Sequence, residues 1–139
     1  MKNIALSFLL IFLAGCSSKP STSEIQSQVE KVILSEGRDK IFSVGDFEKV
    51  NGFSVSDNVY TADIKYNLVF KVGLSELQDN IRREAGNNDI GELGAVVGGA
   101  AMLFTFGNFK AGDKVPRQEK VEFIKTDNGW MISDSYRPP

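Results

Sequence analysis

The feature that most constrains this chain is a run of alternating apolar and polar residues between positions 60 and 72. The even positions of the run are Tyr60, Ala62, Ile64, Tyr66, Leu68, Phe70 and Val72. The odd positions are mostly polar or charged, as Asp63 and Lys65 illustrate. Because successive side chains of a strand point to opposite faces, this pattern predicts a long strand with one face on a core and one in water. Such a strand needs a second layer of structure to cover its apolar face.

The long strand is predicted to belong to the first of two hairpins. An extended stretch at 47–55 precedes it, and the turn-forming residues Ser, Asp and Asn at 56–58 join the two. A second hairpin is predicted near the end of the chain, where EKVEFIKT at 119–126 is typical of a strand. Asp-Asn-Gly at 127–129 is a strong hairpin turn, and 130–132 forms the return strand.

An amphipathic helix of about 13 residues is predicted before the first hairpin. Ser23 with Gln26 three positions later has the pattern of a capping box, and Gly37 is placed to end the helix in a left-handed cap. Its apolar stripe consists of Ile25, Val29, Val32 and Ile33. Gln28 is expected on the solvated side.

The segment between the hairpins contains a short predicted helix and then an uncharged run. Ser75 with Gln78 repeats the capping pattern, and the helix is expected to end near Gly86. The run at 93–106, LGAVVGGAAMLFTF, contains no charged residue. As a helix it would be about 21 Å long, too short for a hydrocarbon core of about 30 Å, so it is not predicted to span a membrane.

Three structures are compatible with this apolar run. It can be a buried helix in which Gly94 and Gly98, four apart on one face, let another backbone approach closely. Its second half can instead form a core strand, because Met102, Phe104 and Phe106 alternate. The third structure exposes the run as an apolar interaction surface that touches lipid or a partner. The candidate residues of that surface are Leu93, Val96, Val97, Met102, Phe104 and Phe106.

Together these elements predict an α+β fold, in which an N-terminal helix packs on a four-stranded antiparallel sheet and a helical, apolar insert separates two hairpins. This order, with the ending EFIKTDNGWMI at 122–132, resembles small cystatin-like or NTF2-like domains of exported bacterial proteins. Such folds include enzymes, ligand carriers and interaction modules, so the fold alone does not assign a function.

The N-terminus has the features of an export signal. Lys2 supplies a positive charge, 4–13 is almost entirely apolar, and small residues follow. Leu13-Ala14-Gly15-Cys16 resembles the lipobox of bacterial lipoproteins. In that family the cysteine thiol is joined to a diacylglycerol, the preceding peptide bond is cut and the new amine is acylated. The resemblance therefore implies lipidation at Cys16, and two or more acyl chains are enough for stable membrane anchoring.

The resemblance also implies a domain organisation and a location. Residues 1–15 would be a signal peptide, 16–22 a lipidated tether and 23–139 a single α+β domain. Ser17 and Ser18 stand where the enterobacterial type of lipoprotein carries an aspartate for inner-membrane retention. In a Gram-negative cell, the mature protein is expected on the outer membrane, facing the periplasm. Six extended residues reach about 20 Å, so the tether would hold the domain near the membrane.

Composition excludes several functions. The chain has no histidine and a single cysteine, which excludes histidine-based triads, Cys-His pairs and the usual zinc and copper ligand sets. Cleavage would remove one of 16 basic residues and none of 18 acidic residues, leaving a net charge of about −3 and no basic footprint for nucleic acid. No catalytic residue, metal site or cofactor is predicted.

Three other groups of residues share some features of functional sites. Asp46 and Glu48 are a carboxylate pair, and we interpret them as a solvated strand face rather than as glycosidase acids. Asn87, Asp89 and Glu92 lack the full pattern of a calcium loop. Trp130, directly after a hairpin turn, is expected to pack on the sheet rather than to bind a ligand.

The sequence thus predicts a non-catalytic, membrane-anchored lipoprotein that serves as an envelope interaction or structural module. Its partners would be the membrane, through lipid on Cys16, and an envelope protein. The alternative is a carrier or sensor of a small hydrophobic ligand, held between helix and sheet. An enclosed apolar cavity above about 300 Å³ would favour the carrier, and an exposed run at 93–106 would favour the interaction module.

Overall fold

Four antiparallel strands form one sheet and lie side by side in the order in which they occur along the chain. The computed structural model describes residues 19–86 and 89–137. The strands are β1 (Phe42–Ser56), β2 (Val59–Phe70), β3 (Lys114–Thr126) and β4 (Gly129–Ile132). Both predicted hairpins are present, although β1 and β3 each begin five residues earlier than the sequence pattern indicates. The predicted α+β class is confirmed.

β2 lies inside the sheet, paired with β1 on one side and β3 on the other. Its even-numbered residues, Tyr60 through Phe70, are all buried, which is the face that the alternation predicted. The partner strand β3 contributes Val121 and Phe123 to the same core. Trp130 of β4 is buried too, with its ring centroid 6.1 Å from that of Tyr60 in an edge-on arrangement, so the predicted packing role is confirmed.

α1 (Thr22–Ile33) covers one part of this core. Ile25, Val29 and Ile33 are buried, and burial of each stabilises the fold by about 1.5–3 kcal/mol. The predicted cap at Ser23 is wrong: Ser21 is the N-cap, and its hydroxyl accepts a 3.2 Å hydrogen bond from the Glu24 main-chain N–H. The hydrogen bond from Ser21 lowers the pKa of Glu24, whose carboxylate completes the capping box.

Two further expectations for this region are wrong. Gly37 has a positive φ of 80° but lies before a short 3-10 helix (Arg38–Lys40), because α1 has already ended at Ile33. Gln28 is half-buried rather than solvated. Its side-chain amide donates to the Trp130 carbonyl and accepts a 2.6 Å hydrogen bond from the Ile132 N–H, so it pairs with the outer edge of β4.

Two helices connect β2 to β3, namely α2 (Leu74–Ala85) and α3 (Asp89–Phe106). Gly73 is the N-cap of α2 and has no side-chain cap, so the predicted cap at Ser75 is wrong. The run at 93–106 is helical throughout, which overturns the strand expected from Met102, Phe104 and Phe106. Among the described residues, no helix is long and apolar enough to span a membrane.

Candidate functional site

α3 carries an exposed apolar surface, which we call the α3 apolar face. Phe104 is 90% exposed and Val97 is 60% exposed, values that are unusual for large apolar side chains. The full set is Ile90, Leu93, Val96, Val97, Leu103 and Phe104. The expectation of a helix buried in the core is therefore wrong, because only one side of α3 is covered.

The covered side of α3 packs closely against α2. A Cβ atom built on Gly98 would lie 3.3 Å from Cδ1 of Ile81, and one built on Gly94 would lie 3.8 Å from its Cγ2. A Cβ on Gly99 would approach Cγ of Gln78 to 2.8 Å. The absence of side chains at these positions thus permits the close approach that Gly94 and Gly98 predicted, and α2 is the helix that makes it.

Two of the six predicted surface residues do not belong to the exposed face. Phe106 is half-buried, with its ring centroid 5.8 Å from that of Phe42 and 5.4 Å from that of Phe70. Met102 is half-buried and packs against the core cluster. Leu93, Val96, Val97 and Phe104 are exposed as expected. Met102 and Phe106 therefore attach α3 to the domain, while the other four point into solvent.

A groove of about 780 Å³ lies between the two connecting helices and the 3-10 helix. Its apolar lining comprises Ile41, Val72, Leu77, Ile81 and Met102. Lys40 and Glu84 form a 2.8 Å ion pair at the groove, and their hydrogen bond raises the pKa of Lys40 and lowers that of Glu84. The groove is open to solvent and is not the predicted cavity between α1 and the sheet, where Ile25 and Val29 are fully buried.

A polar cluster at the core face of β3 was missed by sequence reasoning. The Glu119 carboxylate accepts hydrogen bonds of 2.5 Å from the hydroxyl groups of both Tyr66 and Tyr136. Burial, and then the hydrogen bond to Glu119, raises the pKa of each tyrosine well above its usual range. Both phenols are therefore held protonated as donors to the carboxylate. The signal was present, because Glu119 has the same parity as the core residues Val121 and Phe123.

The other candidate residues are an acidic residue on β1 and the predicted lipidation site. Asp46 forms a 2.9 Å ion pair with Lys114 and accepts a hydrogen bond from Asn67, and both lower its pKa. No group of histidine, cysteine or acidic residues in 19–86 and 89–137 is arranged to hold a metal ion. Cys16, the predicted lipidation site, lies outside the described residues.

Comparisons with known proteins do not assign a function. A scan against protein-family models, a search of curated proteins and a search of solved structures each found no match. The resemblance to lipoproteins therefore depends on residues 13–16, and the roles of the α3 apolar face and the groove depend on their geometry.

Proposed function

We propose that this protein is a non-catalytic lipoprotein of the bacterial cell envelope, anchored through Cys16 to the outer membrane on its periplasmic side. Its domain binds an envelope protein through the α3 apolar face. The observation that carries this proposal is the exposure of six large apolar side chains on one helix without a charge after Glu92.

An exposed face of this kind is typical of a binding surface. A helix that is apolar all round is normally covered on every side, whereas α3 is covered by α2 on only one. Contiguous apolar surface on a folded domain costs solubility and usually marks an interaction site. We therefore infer that a partner covers the face in the cell.

The chemistry of α3 favours a protein over the bilayer as that partner. Its first turn contains Asp89 and Glu92, and its last turn contains no basic residue. Helices that lie on anionic membranes usually carry basic residues beside their apolar face. The matching surface is therefore expected to be an uncharged apolar patch on another envelope protein.

The number of residues between Cys16 and the domain restricts where the partner lies. Pro20 is buried and Ser21 caps α1, so three residues, 17–19, separate Cys16 from the first buried residue that the structure describes. Three extended residues reach about 10 Å. The domain would thus remain close to the membrane surface.

The anchor is tested by Cys16→Ser in the full-length protein. We expect this variant to lose labelling by radioactive palmitate and to leave the membrane fraction or remain unprocessed, whereas Ser18→Ala behaves like the parent. Ser17→Asp should move the lipidated protein to the inner membrane. A palmitate-labelled, membrane-bound Cys16→Ser protein would exclude Cys16 as the anchor.

The binding surface is tested by crosslinking and affinity capture of the lipidated protein from intact cells. Val97→Asp with Phe104→Asp should abolish capture of the partner while the domain stays folded. The matched control adds the same two charges elsewhere, at exposed Ser54 and Asn58. Equal loss of capture in both variants would refute a specific role for the α3 apolar face.

The groove supports the alternative function, a carrier or sensor of a small hydrophobic ligand. Its volume lies within the range of small-molecule sites, and its lining is mostly apolar. Ala101 lines the groove, so Ala101→Phe should reduce binding of the apolar fluorophore phenylnaphthylamine, whereas Thr105→Phe on exposed surface should not. Absence of binding to the parent protein would eliminate this alternative.

A further inference from the structure

The outer edge of β3 is unpaired along most of its length. β3 has 13 residues, whereas β4 has four and pairs only with 123–126. One more hydrogen bond continues this pairing, a 2.8 Å bond from the Ser133 N–H to the Glu122 carbonyl. Beyond Glu122, a notch of about 550 Å³ lies between β3 and residues 135–137. The sheet thus ends in an open edge next to β4.

The position of Glu122 determines which main-chain groups point into this edge. In an antiparallel strand, alternate residues direct both their N–H and C=O groups to the same side. Because the Glu122 carbonyl points away from β2, the main-chain N–H and C=O groups of Gln118 and Lys120 also point away from β2. No described residue bonds to the main chain of either on that side. Pro116, which lacks an N–H, occupies the next outward position, as is usual for proline in an edge strand.

We propose that a second copy of this chain pairs with this edge, with the two β3 strands antiparallel and the twofold axis at Gln118. The stretch PRQEK at 116–120, which β4 leaves unpaired, carries opposite charges at equal distances from its centre. In this register, Arg117 of each copy lies opposite Glu119 of the other. Opposite charges directly across an antiparallel pair stabilise it.

Charge also selects this register over its neighbours. Residues whose main-chain groups point outward must lie opposite each other in the two strands. The register can therefore shift only by two residues, and each such shift moves the twofold axis by one residue. An axis at position 117 would put Arg117 opposite itself, and an axis at 119 would put Glu119 opposite itself. Like charges in direct opposition are unfavourable. The axis at Gln118 avoids both contacts.

Arg117 provides a second, independent observation. Its Nε is fully shielded from solvent and has no hydrogen-bond partner within the described chain. The only described contact of its guanidinium is with the ring of Phe106, at 5.9 Å from the centroid. A shielded N–H donor without an acceptor is unfavourable, and in this register the Glu119 carboxylate of a second copy lies beside the same guanidinium. Glu119 can accept this contact because a carboxylate offers about four acceptor sites and the two tyrosines use two.

The opposite edge of the sheet, formed by β1, is irregular and less suited to pairing with another chain. β1 is broken by register shifts at three places, and Asp46 has a positive φ of 52° within the first of them. Such irregularities are a usual protection of an edge strand against pairing with another chain. β3 shows no register shift in its pairing with β2, so the regular edge is the one left open.

A cysteine crosslink tests the pairing in native membranes with the full-length protein. At the axis, the two Cα atoms of residue 118 would be about 5.5 Å apart, within the range of a disulfide. Gln118→Cys should therefore give a disulfide-linked homodimer on mild oxidation. Lys120→Cys is the matched control, because the two copies of residue 120 would be about 13 Å apart along the strands. Equal crosslinking at both positions, or linkage of residue 118 to a different protein, would overturn the proposal.

A second pair of variants tests the main-chain bonds. Gln118→Pro removes the N–H at the axis but leaves the bonds to β2 intact, because that N–H points outward. Gln118→Ala retains it. Two differently tagged copies should co-purify in the parent and in Gln118→Ala, and co-purification should fall at least severalfold in Gln118→Pro. Undiminished co-purification of a folded Gln118→Pro protein would refute pairing through this edge.

Discussion

Two polar side chains complete the core alongside the apolar residues. Gln28 satisfies the outer edge of β4, and Glu119 accepts hydrogen bonds from Tyr66 and Tyr136. Both residues lie on elements that were predicted correctly. Their partners lie on other elements, 102 positions away in the case of Trp130, so no local pattern indicates the pairing.

Gln28→Ala should lower the free energy of unfolding by about 1–3 kcal/mol, because it leaves a donor and an acceptor of β4 without partners. Gln26→Ala is the matched control on the same helix. The Gln26 amide donates to Glu30, four positions away on the same helix, and its loss should cost about 0.5 kcal/mol or less. Urea unfolding of both variants measures the difference, and equal costs would argue against the edge role of Gln28.

The tyrosine cluster should make the fold sensitive to high pH. The pKa values of Tyr66 and Tyr136 are raised in the folded state, so the stability they contribute is fully present below about pH 10, the ordinary pKa of tyrosine. Stability is lost as the pH rises above that value, because the unfolded chain releases these protons more readily than the folded chain.

Unfolding measured at a series of alkaline pH values checks this expectation. The fall in stability with pH should be shallower in Tyr66→Phe, by about one proton released on unfolding. Tyrosinate absorbance should rise together with the loss of structure for the two clustered residues. Ionisation of all three tyrosines in a fully folded protein would contradict the prediction.

At the scale of elements, α1 and the two hairpins followed from periodicity and turn residues, but neither the helical conformation of 93–106 nor its environment did. An uncharged run has no polar side from which a solvent face can be inferred, so burial and exposure are equally compatible with it. The glycines of the run indicated only part of the environment of α3. Gly94 and Gly98 indicated which side of α3 another helix approaches, while nothing local indicated that the opposite side is left open.

Two substitutions on α3 separate its exposed side from its buried side. Val97→Asp should change the free energy of unfolding by about 0.5 kcal/mol or less, because the side chain is 60% exposed. Ala95→Asp, two positions earlier at a fully buried residue, should cost about 3 kcal/mol or more, because it buries an unpaired charge. Thermal unfolding monitored by circular dichroism measures both. Unfolding of the domain by Val97→Asp would indicate that the α3 apolar face is buried.

At the scale of the molecule, the sheet is attached to its neighbours on more sides than the α2–α3 helix pair is. β2 is bonded on both sides by neighbouring strands. Among the described elements, α3 packs extensively only against α2, and Met102 and Phe106 from its last two turns join the core. The first half of α3 is therefore joined to the domain mainly through α2.

This difference predicts uneven hydrogen exchange. Amides in the first half of α3, residues 93–97, should exchange faster than those of β2 at 64–68, because the helix pair can open without disrupting the sheet. Hydrogen–deuterium exchange with peptide-level mass spectrometry measures the two regions in one experiment. Equal protection in both would mean that α2, α3 and the sheet open as one cooperative unit.

The sequence by itself determined α1, the two hairpins and the α+β class of this protein. Alternation identified the buried face of β2, turn residues placed both hairpins, and helical periodicity identified α1, since each depends on the geometry of consecutive residues. The tertiary structure alone decided that α3 is open on one side, that Gln28 and Glu119 bind across the fold, and that β3 extends past β4. These properties depend on whether an element that is distant in sequence covers a given surface. A periodic pattern describes only neighbouring residues, so it cannot indicate this.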